Sequence, residues 1–105
     1  MWIRAAYWIG TARPGNEAEF RAGIDQEMIP GLKALPGVRD ASALWPQRPE
    51  DGAPELACQI LVVFDGREDI DRMLASPERH ALRERSGKIA ALFDGKLSHI
   101  DCEVG

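Results

Sequence analysis

Histidine and cysteine are scarce, with two of each in 105 residues and no close pairing among them. A transition-metal site therefore has nothing to start from, since such sites gather several of these ligands at short spacing. The glycines match neither the phosphate-loop nor the dinucleotide fingerprint, so no bound nucleotide and no other cofactor is expected. A basic stripe is missing as well. Thirteen Lys and Arg face seventeen Asp and Glu, a net charge of −4, and nowhere do the cations gather as a phosphate backbone requires, which argues against nucleic acid as a partner. The longest apolar stretch near the N-terminus, around Trp2, Ile3, Tyr7, Trp8 and Ile9, is too short for a spanning helix and lacks a cleavage pattern. No membrane partner is expected, and a cytoplasmic protein with reduced thiols is.

What is present is ordinary globular material, 45% hydrophobic and 29% charged, at a length that suits one domain over residues 1–105. WIRAAYWI at 2–9 mixes aromatic and β-branched residues and ends at Gly10, which reads as a first strand. Asn16 can cap a helix in which Phe20, Ile24, Met28 and Leu32 recur every fourth residue. Pro30-Gly31 should bend or interrupt it and Pro36-Gly37 should stop it. A second strand follows from Val38 to Pro46, then an exposed loop, QRPEDGAP. The most apolar run, ELACQILVVF at 55–64, is a central strand. Helical signals return at Arg67 and restart at Ser76-Pro77-Glu78, a cap with proline at the first position. Leu82, Ile89, Leu92 and Phe93 share a side, Asp94-Gly95 ends the helix, and KLSHIDCEV forms a fourth strand.

The order is βαβ twice, and two right-handed crossovers give a ferredoxin-like βαββαβ α+β fold with an antiparallel sheet in the order 4-1-3-2. A whole strand then separates Cys58 from Cys102, about 9.6 Å, against the roughly 7 Å that a disulfide tolerates. Both helical units cover one face of the sheet. The other must meet water or protein, and the central strand is apolar on both sides: Leu56, Cys58, Ile60, Val62 and Phe64 alternate with Ala57, Gln59, Leu61 and Val63. In the first strand Ile3, Ala5, Tyr7 and Ile9 are expected to face the helices, leaving Trp2, Arg4, Ala6 and Trp8 on the far side. A homodimer with sheets packed face to face would bury that surface. The alternative is that the C-terminus or the 46–54 loop folds over it.

The fourth strand alternates Ser98, Ile100, Cys102 and Val104, expected toward the helices, with Leu97, His99, Asp101 and Glu103. His99 and Asp101 then share the interfacial face with Arg4 and Trp8, and with Gln59 one strand further. An imidazole titrating near neutrality beside a carboxylate and a guanidinium can move a proton or hold an oxyanion, so His99, Asp101 and Arg4 are the candidate catalytic groups. The plainer alternative is a cross-strand Arg4–Asp101 ion pair. Trp8 and Trp45 can wall a pocket for a flat ligand, with Gln59 as a further contact, or simply fill an interface. His80, among Glu78, Arg79 and Arg83, reads as solvated.

The pattern over nearly the whole chain resembles the dimeric α+β barrel superfamily. EMIPGLKALPGV at 27–38 and SPERHALRERSGKIAALFDGKLSHIDCEV at 76–104 are similar to its EthD-like and stress-responsive branches. The resemblance implies paired ferredoxin-like subunits whose sheets enclose a pocket. It also implies a range of activities: monooxygenases that use no cofactor, lactone isomerases, and pathway proteins of pigment and antibiotic synthesis. EthD-like sequences often have Glu-His-x-Pro where this chain has Glu27-Met28-Ile29-Pro30. A thioether has no proton to give, so that acid-base group is absent. Three readings remain open: a cofactor-free, monooxygenase- or isomerase-like enzyme or pathway accessory acting on a small hydrophobic, aromatic or polyketide-like compound; a non-catalytic ligand-binding or stress-responsive dimer; and a purely structural dimer.

Overall fold

The computed structural model describes residues 1–105, and its elements follow in the order β1 (Trp2–Ala12), α1 (Glu17–Gly23), a π-helical turn (Ile24–Met28), α2 (Ile29–Lys33), β2 (Val38–Leu44), β3 (Leu56–Phe64), α3 (Arg67–Leu74), α4 (Pro77–Ala90) and β4 (Phe93–Glu103). All neighbouring strands are antiparallel, in the order β2-β3-β1-β4, which is the expected 4-1-3-2 read from the other edge. With one layer of helices on one layer of sheet, the molecule is only 19 Å thick along its shortest axis.

Local chemistry explains the joints. Ser76 caps α4 by accepting from the Arg79 N–H at 3.2 Å, and Pro77 takes the first helical position, where no N–H is needed. Asn16 stands before α1 but bonds the Glu19 carboxylate at 3.3 Å instead of capping the backbone. Pro30 does not break its helix. The turn before it widens so that the Ile29 N–H reaches the Ile24 carbonyl, five residues back, which accommodates a residue that has no N–H and whose ring crowds the preceding turn. Gly31 then lets α4 come close, since a Cβ there would run into Leu82 Cδ1. Phe93, expected on the helix, instead opens β4. β1 and β4 stay paired past the expected strand ends through Gly10 and Gly95, which lie opposite each other at φ of 132° and 153°, where a side chain would strike the partner strand's carbonyl.

The main correction concerns which face the helices cover. Trp2, Arg4, Ala6 and Trp8 point toward the helices, and Ile3, Ala5, Tyr7 and Ile9 point away. Trp8 is only 3% exposed and sits edge-on between Phe20 of α1 and Phe93 of β4, with ring centroids 5.3 and 5.2 Å distant. Cys58, Ile60, Val62 and Phe64 of β3 complete this core with Ile24, Ile70, Leu82 and Ile89 from the helices. The reason is volume. Trp8 brings a third large ring to Phe20 and Phe93, and the three pack together edge-on and stacked as the largest group in the layer between sheet and helices.

β4 follows the same inversion, because Arg4 pairs with Asp101, Ala6 with His99 and Trp8 with Leu97. Ser98, Ile100 and Cys102, expected beneath the helices, therefore lie on the open face with Ile3, Tyr7, Leu61 and Val63. Nothing in the chain folds over that face: Leu44 and Ile100 remain 44% and 54% exposed. The two free cysteines sit on opposite faces with β1 between them. Burial pushes the Cys58 thiol up to about 12, so it stays protonated core material.

Candidate functional site

A cavity of about 560 Å³ lies between the sheet and the chain's own helices. Its floor is Ala6 and Trp8 of β1 with Ile60 and Val62 of β3. Met28, Leu32 and Leu35 close it from one side, and Met73, Leu74 and Leu82 from the other. These apolar positions are core-facing by the same alternation that builds the fold. The cavity exists because α4 spends little of its inner face on filling it. Only Leu82 and Ile89 of that helix are buried, and the stripe over the cavity continues as Arg79, Arg83, Ser86, Gly87 and Ala90. A Cβ at Gly87 would meet nothing within 4 Å.

One end of the cavity is cationic. Arg4, Arg79, Arg83 and His99 line it, and no Asp or Glu does. Arg4 Nη1 donates to Asp101 Oδ1 at 2.8 Å across the β1–β4 pair, the cross-strand ion pair anticipated as the plainer reading. The Arg79 guanidinium has its pKa drawn down, first by loss of water and then by repulsion from Arg83 and Arg4. His99 is exposed on the edge strand, yet a partial loss of water where it borders the cavity, followed by the Arg4 and Arg79 charges, lowers its pKa below 6.5, with Asp101 pulling the other way. The imidazole is therefore mostly neutral at pH 7 and can accept a proton. The Trp8 Nε1–H is buried without a partner, which costs about 1–3 kcal/mol for a donor of this kind.

Of the six residues singled out from sequence, Arg4, Trp8 and His99 line this cavity, and Asp101 joins through Arg4. Trp45 does not. Its Nε1–H donates to Asp25 Oδ1 at 3.0 Å, and Arg21 stacks on its ring with the guanidinium carbon 4.7 Å from the centroid, so it clamps the edge of the helix layer. Gln59 is on the other side of the sheet. The register sets Trp8 opposite Cys58 and Tyr7 opposite Gln59, which gives Gln59 the open face.

Sequence reasoning missed Arg79, Arg83, Ser86 and Gly87, because a polar and small stripe on a helix reads as its solvent face. Their three- and four-residue spacing, aligned with Leu82, was the available signal. Met28, at the position where EthD-like sequences often have histidine, does face the cavity. Its sulfur lies 3.6 Å from the Ser86 hydroxyl, which bonds back to the Leu82 carbonyl at 2.7 Å.

No family model and no curated protein matches this chain. Solved structures do. An ethyl tert-butyl ether d (ethd) family protein from Bacillus halodurans is 17% identical, with a TM-score of 0.78 over 100% of this chain and 99% of its own. A dimeric ferredoxin-like protein of unknown function from Jannaschia sp. is 13% identical, with a TM-score of 0.69 over 99% and 100%. A candidate antibiotic biosynthesis monooxygenase from Deinococcus radiodurans is 14% identical, with a TM-score of 0.65 over 100% and 93%. At such identities the likeness is one of fold, and the chain has the ferredoxin-like α+β fold these proteins share.

Proposed function

We propose that this protein binds a small hydrophobic, ring-bearing compound in the cavity between its sheet and its helices and, as the first reading, acts on it without a cofactor. The observation that carries the proposal is an apolar chamber of about 560 Å³ that ends at the His99 imidazole, with the Arg4, Arg79 and Arg83 guanidinium groups beside it. In that geometry His99 would take a proton from an acidic C–H of the bound compound. The resulting carbanion would delocalise onto a ligand oxygen facing Arg4, Arg79 or Arg83, and return of the proton at another carbon would complete an isomerisation. Asp101 would act through Arg4 by fixing its guanidinium. Binding without turnover is the second reading, supported by Met28, which brings a thioether into the chamber where an imidazole would serve as an acid or base.

Aromatic and polyketide-like compounds screened by thermal shift, then assayed for turnover, test both. Stabilising compounds that wild type converts and His99→Ala does not would establish catalysis. Stabilisation with no conversion by wild type would leave binding alone, and no stabilisation by any compound would count against the chamber as a ligand site.

We also infer that a second copy covers the open face of the sheet. Ile3, Tyr7, Leu61 and Val63 with the exposed Leu44 and Ile100 make a largely apolar surface of the kind that self-association buries, and the Jannaschia protein of this fold is dimeric. Light scattering at micromolar concentration giving the mass of one chain would refute it.

A further inference from the structure

We propose that the compound this cavity takes is an anion: an apolar body with one carboxylate or similarly charged oxygen group, seated so that the head meets Arg79 and Arg83 while the body lies over Trp8, Ile60 and Val62. The proposal rests on the ligand-site reading above and adds the chemistry of the head group. Its basis is an imbalance. The chain as a whole carries −4, yet the cavity end holds Arg4, Arg79, Arg83 and His99 and no lining carboxylate. Asp101 answers Arg4 alone. Neither Arg79 nor Arg83 takes part in any ion pair of the structure, although five pairs form elsewhere on the surface.

The placement is also unfavourable for α4 itself. Arg79 sits in the first turn, where the helix dipole disfavours a cation, and Arg83 is one turn further on, so two like charges neighbour each other four residues apart. Arg83 is exposed and Arg79 half-buried, yet both side chains border the chamber, and a partial loss of water there lowers the Arg79 pKa. An oxyanion between the two guanidiniums would relieve the repulsion and accept charge-assisted hydrogen bonds of the strong kind. Gly87, one turn beyond Arg83, lines the chamber at an exposed position where a Cβ would meet nothing within 4 Å.

Three probes with one apolar body test it: anthracene-9-carboxylate, anthracene-9-carboxamide and 9-anthracenemethylamine, each titrated into the full-length protein and followed by fluorescence or calorimetry. The carboxylate should bind tighter than the amide by roughly tenfold or more, the lower range for a charge-assisted hydrogen bond, and the amine weakest. Added salt should weaken the carboxylate and leave the amide unchanged. In Arg79→Gln/Arg83→Gln the carboxylate preference should vanish while amide binding persists. Gly87→Leu, which adds bulk to the chamber lining and leaves the arginines in place, should weaken all three. Equal binding of carboxylate and amide by wild type, or a preference that survives the double substitution, overturns the anion assignment and leaves the chamber intact as a ligand site. Failure of all three probes to bind overturns the chamber and the anion together.

Discussion

The two faces of the sheet have almost the same apolar content and opposite fates. On the helix face, Trp8, Cys58, Ile60, Val62 and Phe64 are buried within one chain, whereas on the open face Ile3, Tyr7, Leu61 and Val63 keep partial exposure and Ile100 is half bare. The difference is one of partner and not of composition. The first face meets helices whose side chains interlock with it, leaving a chamber only where α4 presents small and charged residues. The second has no layer of its own, so the apolar alternation that stabilises the first face leaves on the second the surface where we propose that another copy packs.

Truncating Phe20, which is 2% exposed at the centre of the aromatic cluster, should show the largest effect, since it removes the ring on which both Trp8 and Phe93 pack. Phe20→Ala should cost about 3–5 kcal/mol, measured by urea unfolding. On the open face the same kind of measurement should separate folding from association. Ile100→Glu should leave each chain folded by circular dichroism but raise the dimer dissociation constant at least roughly tenfold, because a two-fold contact brings two carboxylates into an apolar surface. A dimer unaffected by Ile100→Glu would break the contrast between the faces.

A smaller effect of opposite sign is expected at the chamber. Gly87→Ala should stabilise the chain by about 1 kcal/mol, since α4 carries this glycine in its interior with nothing that a methyl group would strike. A destabilised variant would mean that space at Gly87 serves packing and not a ligand. The smallest effect is electrostatic. The folded-state pKa of His99 lies below the usual 6.5, so as pH falls through 6.5 the unfolded chain takes up its proton first and stability declines down to the folded value; above 6.5 it is constant with respect to this group. An NMR titration should place the His99 midpoint below 6.5. Arg79→Gln should move it upward by removing one of the three guanidiniums, with Arg4, Arg83 and Asp101 still facing the ring.

Much of the architecture was legible. The restart at Ser76-Pro77, the long apolar β3 and the loop after β2 are strong local signals, and the crossover rule turned their order into the observed sheet. Arg4, Trp8, His99 and Asp101 were also correctly grouped, since strand alternation and antiparallel register together determine which residues share a side. Their covering was not legible, nor was the place of Gln59, because a shift of one residue in the β1–β3 register exchanges the two sides without changing how apolar either looks. Arg79 and Arg83 escaped for a related reason: charged residues on a helix ordinarily mark solvent, and only a chamber beneath them gives that stripe another meaning.

By itself the sequence determined the element order, the sheet topology and the membership of each strand face, all of which depend on alternation, turn chemistry and the handedness of crossovers. Only the tertiary structure decided which face the helices cover, because that depends on how Trp8, Phe20 and Phe93 fill one volume, and no single segment contains that information. The same decision placed the polar cluster within one chain, between its sheet and its helices.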